Sequence, residues 1–413
     1  MACPAAPAPV ELPAVAILPC AAGERPPVVW TTKPAPLTVD RIRSLPADEQ
    51  EPWIAYLEQS QRRRQLVLAA RAESAPPRTS PAKSGAAVSR GLKLEAKAPY
   101  YGTDEAAELA DRVVSWQAVT GGWVKGSDYS RARTPADDAR DVWSFGTFDN
   151  RSTVQELRFL ARVIGAAPAG PRREAWQASF QRGLEYVFAA QYPNGGYPQI
   201  YPLAGGYHDA ITFNDDAFAL ILHLLADVAA RRPDFAFVAE PDVREAQRRL
   251  DRGVACVVQS QFVSASGVRT LWGQQHDPLT LAPVPARAFE PIAAASAESV
   301  GLALLLLSLP APTEDVVRAI EGCVAWHEAS ALRGVVWDAK LATGTGLVAS
   351  EDAPPLWSRL YELGTSRPLF GDRDRTARYA VTELSPERRT GYSWLNSRGA
   401  ALLAAHAKWR QRR

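Results

Sequence analysis

The chain has 413 residues, 46% of them hydrophobic and 22% charged, so it can bury a large core and is not disordered throughout. Its 47 basic and 45 acidic residues leave a formal charge of +2, too weak a field for unspecific nucleic-acid binding. Any anion recognition has to be local, and no apolar run approaches the length of a membrane-spanning helix.

Residues 1–38 are dense in Ala and Pro and lack the basic n-region of a secretory signal, so no clear signal peptide is read there; "ILPC" at Cys20 gives only a weak hint of lipid attachment. "RIRSLPADEQEPWIAYLEQSQRRRQ" follows, with Trp53, Ile54 and Leu57 at helical spacing, and reads as a small helical extension. Residues 75–90 read as a linker, because their composition offers little apolar surface to bury. The expected division is therefore an N-terminal extension over 1–95 and a catalytic domain over 96–413.

From about residue 95 helical periodicity dominates. Val154, Leu157, Leu160 and Ile164 share one face, as do Phe218, Ile221, Leu225 and Val228. Long alternating stretches are scarce, which predicts an all-α body. Cys3, Cys20, Cys256 and Cys323 form no CxxC pair, and the last two sit among apolar helical residues, so buried thiols are expected rather than zinc or disulfides.

A weak repeat of roughly 65–75 residues organises this body. Helices end in Gln117, in Gln191 and in Gln259 or Gln261; decorated loops follow, "AVTGGW", "YPNGGYPQ" and one reaching "LWGQQHD". After each loop come a polar signature and a new apolar helix: "TFDNRST", "TFNDDAF", "AFEPIAA". Three helical hairpins around an axis would aim their loops at one face, giving an (α/α) toroid with Asp149, Asn150, Asp215, Asp216 and Glu290 about a common cavity. Asn214 and Asp215 also stand where helix caps stand, and the acids suit a helix N-terminus on that ground alone.

Hard oxygen donors without clustered His or Cys favour Ca²⁺, Mg²⁺ or Mn²⁺ over zinc. The acids do not fit a twelve-residue EF-hand loop, so the site has to be assembled from separate helix ends. Opposite them the chain supplies Lys125, Arg287, Arg359 and Arg373. With the loop aromatics Trp123, Tyr197, Tyr201 and Trp272, they point to an elongated anionic ligand whose rings stack and whose carboxylates meet guanidinium forks.

"TFDNRST", "AAQYPNGGYPQIYP", "ITFNDDAF", "WGQQHDPLTLAPVPARAFEP", "LWSRLYEL", "FGDRD" and "ERRTGYSW", in this order over roughly residues 100–395, resemble polysaccharide lyase family 10, the pectate lyases with an (α/α) toroid and long loops forming a substrate groove. The resemblance implies Ca²⁺-assisted β-elimination on α-1,4-polygalacturonate, giving 4,5-unsaturated ends. It implies that Arg287 takes the C5 proton and that Asp149 and Asp215 hold calcium. Lys125, Asn150, His276, Asp277, Arg359 and Arg373 would meet the substrate. It also implies a secreted or periplasmic monomer acting on pectate, with no nucleic-acid partner and no membrane span. Asp216 stands where the family commonly has Asn, "WGQQHD" lacks a common Cys, and Val124 and Gly126 depart from a Pro-Lys-Asn pattern. An ordinary structural role stays open for His276, and simple carboxylate binding stays open for Arg287. "QAVTGGW" also matches a Gln-x-x-x-Gly-x-Trp pattern of isoprenoid cyclases, although no clear acid motif for starting a carbocation accompanies it. A non-catalytic acidic-polysaccharide-binding protein is the third reading.

Overall fold

The computed structural model describes residues 28–29, 33–73, 89–134, 137, 145–264, 266–338 and 346–413. Cys3, Cys20 and nearly all of the expected linker over 75–90 lie outside the described residues. Two compact units emerge: one comprises residues 32–261 with 273–287, the other 1–31, 262–272 and 288–413.

The first unit is helical. It contains α1 (Val39–Ile42), α2 (Ala47–Glu73), α3 (Asp104–Ser115), α4 (Val154–Ala166), α5 (Pro171–Ala190), α6 (Ala217–Ala229) and α7 (Glu240–Ser260). Three of these helices show how they start: α3 begins at Thr103, whose hydroxyl accepts from the Ala106 N–H, while α5 and α7 place Pro in their first turn, where the missing N–H costs nothing. Both predicted apolar stripes, on α4 and α6, are buried. Helices α4 and α5 pack as one hairpin and α6 and α7 as another.

Helix α2 packs as a member of this unit rather than as a detached extension. Trp53, Tyr56, Leu57, Ser60 and Val67 are all buried, at i, i+3, i+4, i+7 and i+14, a stripe along one face. The Tyr56 hydroxyl donates to the Ala190 carbonyl at 3.0 Å, and Ser60 Oγ accepts from the Leu203 N–H at 2.8 Å. Trp53 and Tyr56 lie against the ring of Tyr192.

The second unit holds α8 (Ser296–Ser308), α9 (Glu314–Ala329), α10 (Pro386–Thr390) and α11 (Arg398–Arg410), with α8, α9 and α11 mutually packed. Its longest sheet is antiparallel and made of very short strands, in the order Val28–Val29, Thr376–Arg378, Pro368–Gly371, Leu360–Tyr361, Ala294–Ala295. Leu360, Phe370, Val381 and Trp394 form the cluster behind it. The described strands are two to four residues long and decorate loops between helices, so the all-α reading holds.

Cys256 and Cys323 are free and buried, and burial pushes both thiols up in pKa, which leaves them unreactive. No helix among the described residues is long and apolar enough to cross a membrane.

Candidate active site

The repeat seen in sequence is built twice with the same bonds. Gln117 Nε2 donates to the carbonyls of Gly121 at 2.7 Å and Ser179 at 2.8 Å; Gln191 Nε2 donates to those of Gly195 at 3.0 Å and Arg249 at 2.8 Å. Each Gln thus ties the end of its own helix to the second helix along the chain, α3 to α5 and α5 to α7. Gly121 and Gly195 have φ of +98° and +92°, and a Cβ on either would fall 2.3 or 2.1 Å from a carbonyl oxygen of the neighbouring helix, so neither position admits a side chain. These ties account for the Gln-x-x-x-Gly-x-Trp pattern without any isoprenoid chemistry.

Each loop leads into an acid-bearing turn of one construction. In Asp149–Arg151 the left-handed residue is Asn150 (φ 49°, ψ 40°); in Asn214–Asp216 it is Asp215 (φ 52°, ψ 31°). Arg151 and Asp216 follow with φ of 67° and 61°. Runs of positive φ in non-glycine residues are strained, and they persist where surrounding contacts over-determine them. Those contacts are present. In the first turn Thr147 Oγ1 accepts from the Asp149 N–H and donates to the Gln199 carbonyl; in the second the Gln274 carbonyl accepts from both the Phe213 and Asn214 N–H groups. The two turns lie side by side in the same unit.

Asp149 is buried, and Lys125 Nζ stands 2.5 Å from its Oδ2. Asn214 fills the same inward position in the second turn, where its Oδ1 accepts from Gln274 Nε2 at 2.9 Å. Asn150 and Asp215 are half-buried, and Asp215 Oδ2 accepts from Asn214 Nδ2 at 3.0 Å. Asp216, the N-cap residue of α6, makes no side-chain capping bond.

His208, which sequence reasoning passed over, belongs to this neighbourhood. Its Nδ1 bonds Gln199 Oε1 at 2.8 Å, and the Gln199 carbonyl accepts from the Phe148 N–H beside Asp149. Burial, then the positive charges of Lys125 and Arg287, hold its imidazole down at about 4, so it is neutral at ordinary pH. Arg287, itself half-buried, and Lys125 thus both act on the His208 ring. The one available signal was position: His208 sits six residues before Asn214 in "YHDAITFNDD".

Other expected site residues are placed differently. His276 is wholly buried, its Nε2 accepts from the Gly273 N–H at 3.0 Å and its Nδ1 faces the Leu281 carbonyl at 2.7 Å. Both ring nitrogens serve the chain in this structure. Asp277 Oδ1 accepts from the Leu279 and Thr280 N–H groups, and its Oδ2 faces Arg41 at 2.6 Å. In this structure its carboxylate organises a turn. Trp123, Tyr197, Tyr201 and Trp272 are at most 1% exposed, so the stacking expected of these aromatics is corrected to core packing. Trp123 Nε1, for example, donates to the Val113 carbonyl at 2.8 Å.

In the second unit Arg359 sits between two short strands, Trp357–Ser358 and Leu360–Tyr361. Its Nε donates to Glu298 Oε1 at 3.0 Å, and its guanidinium lies 4.5 Å from the Tyr392 ring centre. Glu298 was not foreseen. Arg373 is exposed and bidentate on Glu387, at 2.8 and 2.9 Å. Glu290 also belongs to this unit, where its Oε1 accepts from the Tyr392 hydroxyl at 3.0 Å.

Among the described residues no three His, Cys, Asp or Glu side chains converge as a metal cluster. The donor set nevertheless fits a hard cation: two carboxylates on adjoining turns, one of them already facing an ammonium at 2.5 Å, with further oxygens left to substrate and water.

The pectic acid lyase family matches residues 117–403. No curated protein matches. A family 10 polysaccharide lyase from Cellvibrio cellulosa is 32% identical, with a TM-score of 0.67 over 76% of this chain and 95% of its own. A mutant of a family 10 polysaccharide lyase from the same organism, solved in complex with trigalacturonic acid, is 32% identical, with a TM-score of 0.66 over 77% of this chain and 99% of its own. With its paired helices, this likeness assigns the (α/α) toroid class. The chain belongs to the pectic acid lyases of polysaccharide lyase family 10, and it is a lyase.

Proposed function

We propose that the protein cleaves α-1,4-polygalacturonate by calcium-assisted β-elimination, with Asp149 and Asp215 as calcium ligands, Asn150 and Lys125 beside them, and Arg287 as base. The observation that carries the reading is two acid turns side by side in one unit, with Lys125 on Asp149 and with both Lys125 and Arg287 acting on His208. The related lyase crystallised with trigalacturonic acid supports the substrate class.

The C5 proton of a uronate is acidic only when the adjoining carboxylate is neutralised, because carbanion-like charge spreads onto its oxygens. Bound calcium would supply that neutralisation. Asp149 and Asp215 would hold the ion, while Lys125 would meet the same developing charge. A guanidinium is normally protonated, so the base role asks for positive neighbours that favour its neutral form; Lys125, which acts on His208 as Arg287 does, and bound calcium are the proposed ones. Neutral Arg287 would take the C5 proton, the C–H electrons would form the C4=C5 bond, and the C4–O bond would break, with its oxygen leaving as the new hydroxyl after protonation. No water is consumed, so an acid–water–acid pair is not required. In the second unit Arg373, exposed on Glu387, is proposed as a substrate-carboxylate partner, and Arg359, held by Glu298, as a second one. We take the enzyme to act as a secreted or periplasmic monomer.

The full-length protein with polygalacturonate should give products with the ultraviolet absorbance of a 4,5-double bond. Chelation should abolish it and Ca²⁺ restore it. Arg287→Lys keeps the charge but loses the planar fork, and turnover should fall about a thousandfold in a folded protein. Saturated products, turnover that survives exhaustive chelation, or near-normal turnover in the lysine variant would each overturn part of this reading.

A further inference from the structure

We propose that Arg41, which precedes the family-matched region 117–403, is a positioning residue for Arg287 and acts through Asp277. The inference rests on the base role given to Arg287 above.

Arg41 lies on α1, and its guanidinium is fixed from two sides. Nη1 donates to the carbonyls of Ala35 and Pro36 at 3.0 and 3.1 Å, and Nη2 reaches Asp277 Oδ2 at 2.6 Å. The Asp277 side chain is only 9% exposed, against 26% for Arg41. A carboxylate so placed would be costly without its cation.

Asp277 is the hub of the loop that leads to Arg287. While Oδ2 faces Arg41, Oδ1 accepts from the Leu279 and Thr280 N–H groups at 3.0 and 3.1 Å and from Thr280 Oγ1 at 3.3 Å. The Asp277 N–H donates to Ala282, and the Asp277 carbonyl accepts from Leu281, which is left-handed at φ 58°. Leu281 in turn offers its carbonyl to His276, and the Val284 N–H closes onto the Gln275 carbonyl at 3.0 Å. Arg287 follows three residues later. A left-handed leucine persists only where its neighbours over-determine it. Arg41 supplies the charge that keeps the central carboxylate in place.

This predicts that the chemistry depends on Arg41, which lies 236 positions from Asp277 in sequence. In the full-length enzyme at saturating calcium, Arg41→Ala should lower kcat about tenfold to a hundredfold with KM changed less than about twofold, since misplacing a reacting group costs rate more than binding. Arg41→Lys still offers a cation to Oδ2 and should recover most of the loss. Arg41→Ala combined with Asp277→Asn should be no worse than the poorer single variant, the signature of one shared interaction. Hydrogen exchange should rise over residues 277–287 in Arg41→Ala and stay unchanged over α5. Unaltered exchange over 277–287, a wild-type kcat, additive losses or no rescue by lysine would overturn the proposal. Wild-type inactivity on polygalacturonate would instead refute the functional reading, and the exchange comparison would still decide whether Arg41 holds the loop.

Discussion

The turns at Asp149–Arg151 and Asn214–Asp216 share one backbone but exchange acid and amide. In the first the acid points inward, onto Lys125, and the amide Asn150 holds the half-buried left-handed position. In the second the amide Asn214 points inward, onto Gln274, and the acid Asp215 takes the left-handed position. One carboxylate is thus fixed and charge-paired in the interior, and the other is presented at the edge. Two Asp turns of one sequence type would have buried both acids or presented both. The difference shows that "TFDN" and "TFND", though nearly the same word, do not place their carboxylates alike.

Exchanging the order within the first turn tests this most severely. The double variant Asp149→Asn with Asn150→Asp keeps composition and net charge but leaves Lys125 without its carboxylate and puts both acids at left-handed positions. Turnover should fall at least about a hundredfold, because the ligand geometry is lost while the backbone, which Asn and Asp tolerate alike, is kept. Near-normal activity in a folded double variant would mean that only the number of acids matters.

A smaller effect distinguishes what lies behind the two turns. The third residue of α4 is Glu156, fully buried with Oε2 unpartnered among the described residues, whereas the third residue of α6 is Ala219. Burial raises Glu156 to about 7, against an ordinary 4.5. The unfolded chain releases this proton first, so the contribution is full below about pH 4.5 and is lost as pH rises towards and through 7. Glu156→Gln should flatten stability against pH in that window. Urea midpoints at several pH values check it, and taking the difference from wild type removes the slopes of Asp209, His208 and His276, which both proteins share. An unchanged slope in the variant would deny the shifted carboxyl.

Much of this was legible in the sequence, for identifiable reasons. The stripes of α4 and α6 and the recurrent Gln, Gly-Gly and acid elements are local patterns, and local patterns survive into structure. The roles of Trp123, Tyr197, Tyr201 and Trp272 were not legible, because an aromatic in a loop serves a core as readily as a sugar platform, and only burial separates the two. His276 is buried in the same way. Arg41–Asp277 joins residues whose separation no periodicity encodes. Helix α2 read as an extension because charged residues outnumber its buried stripe, yet Trp53 and Tyr56 alone bring large apolar area into the unit.

The central claim is that Asp215 is presented as a cation ligand and is not kept for the helix it precedes. The direct measurement is polygalacturonate turnover against Ca²⁺ concentration for wild type and Asp215→Asn, with thermal unfolding of both. Asn retains the left-handed tolerance and the size of Asp, so the unfolding midpoint should stay put. The calcium needed for half-maximal rate should rise at least about tenfold, as expected when a hard cation loses a charged ligand. Superimposable calcium curves for the two proteins would contradict the assignment.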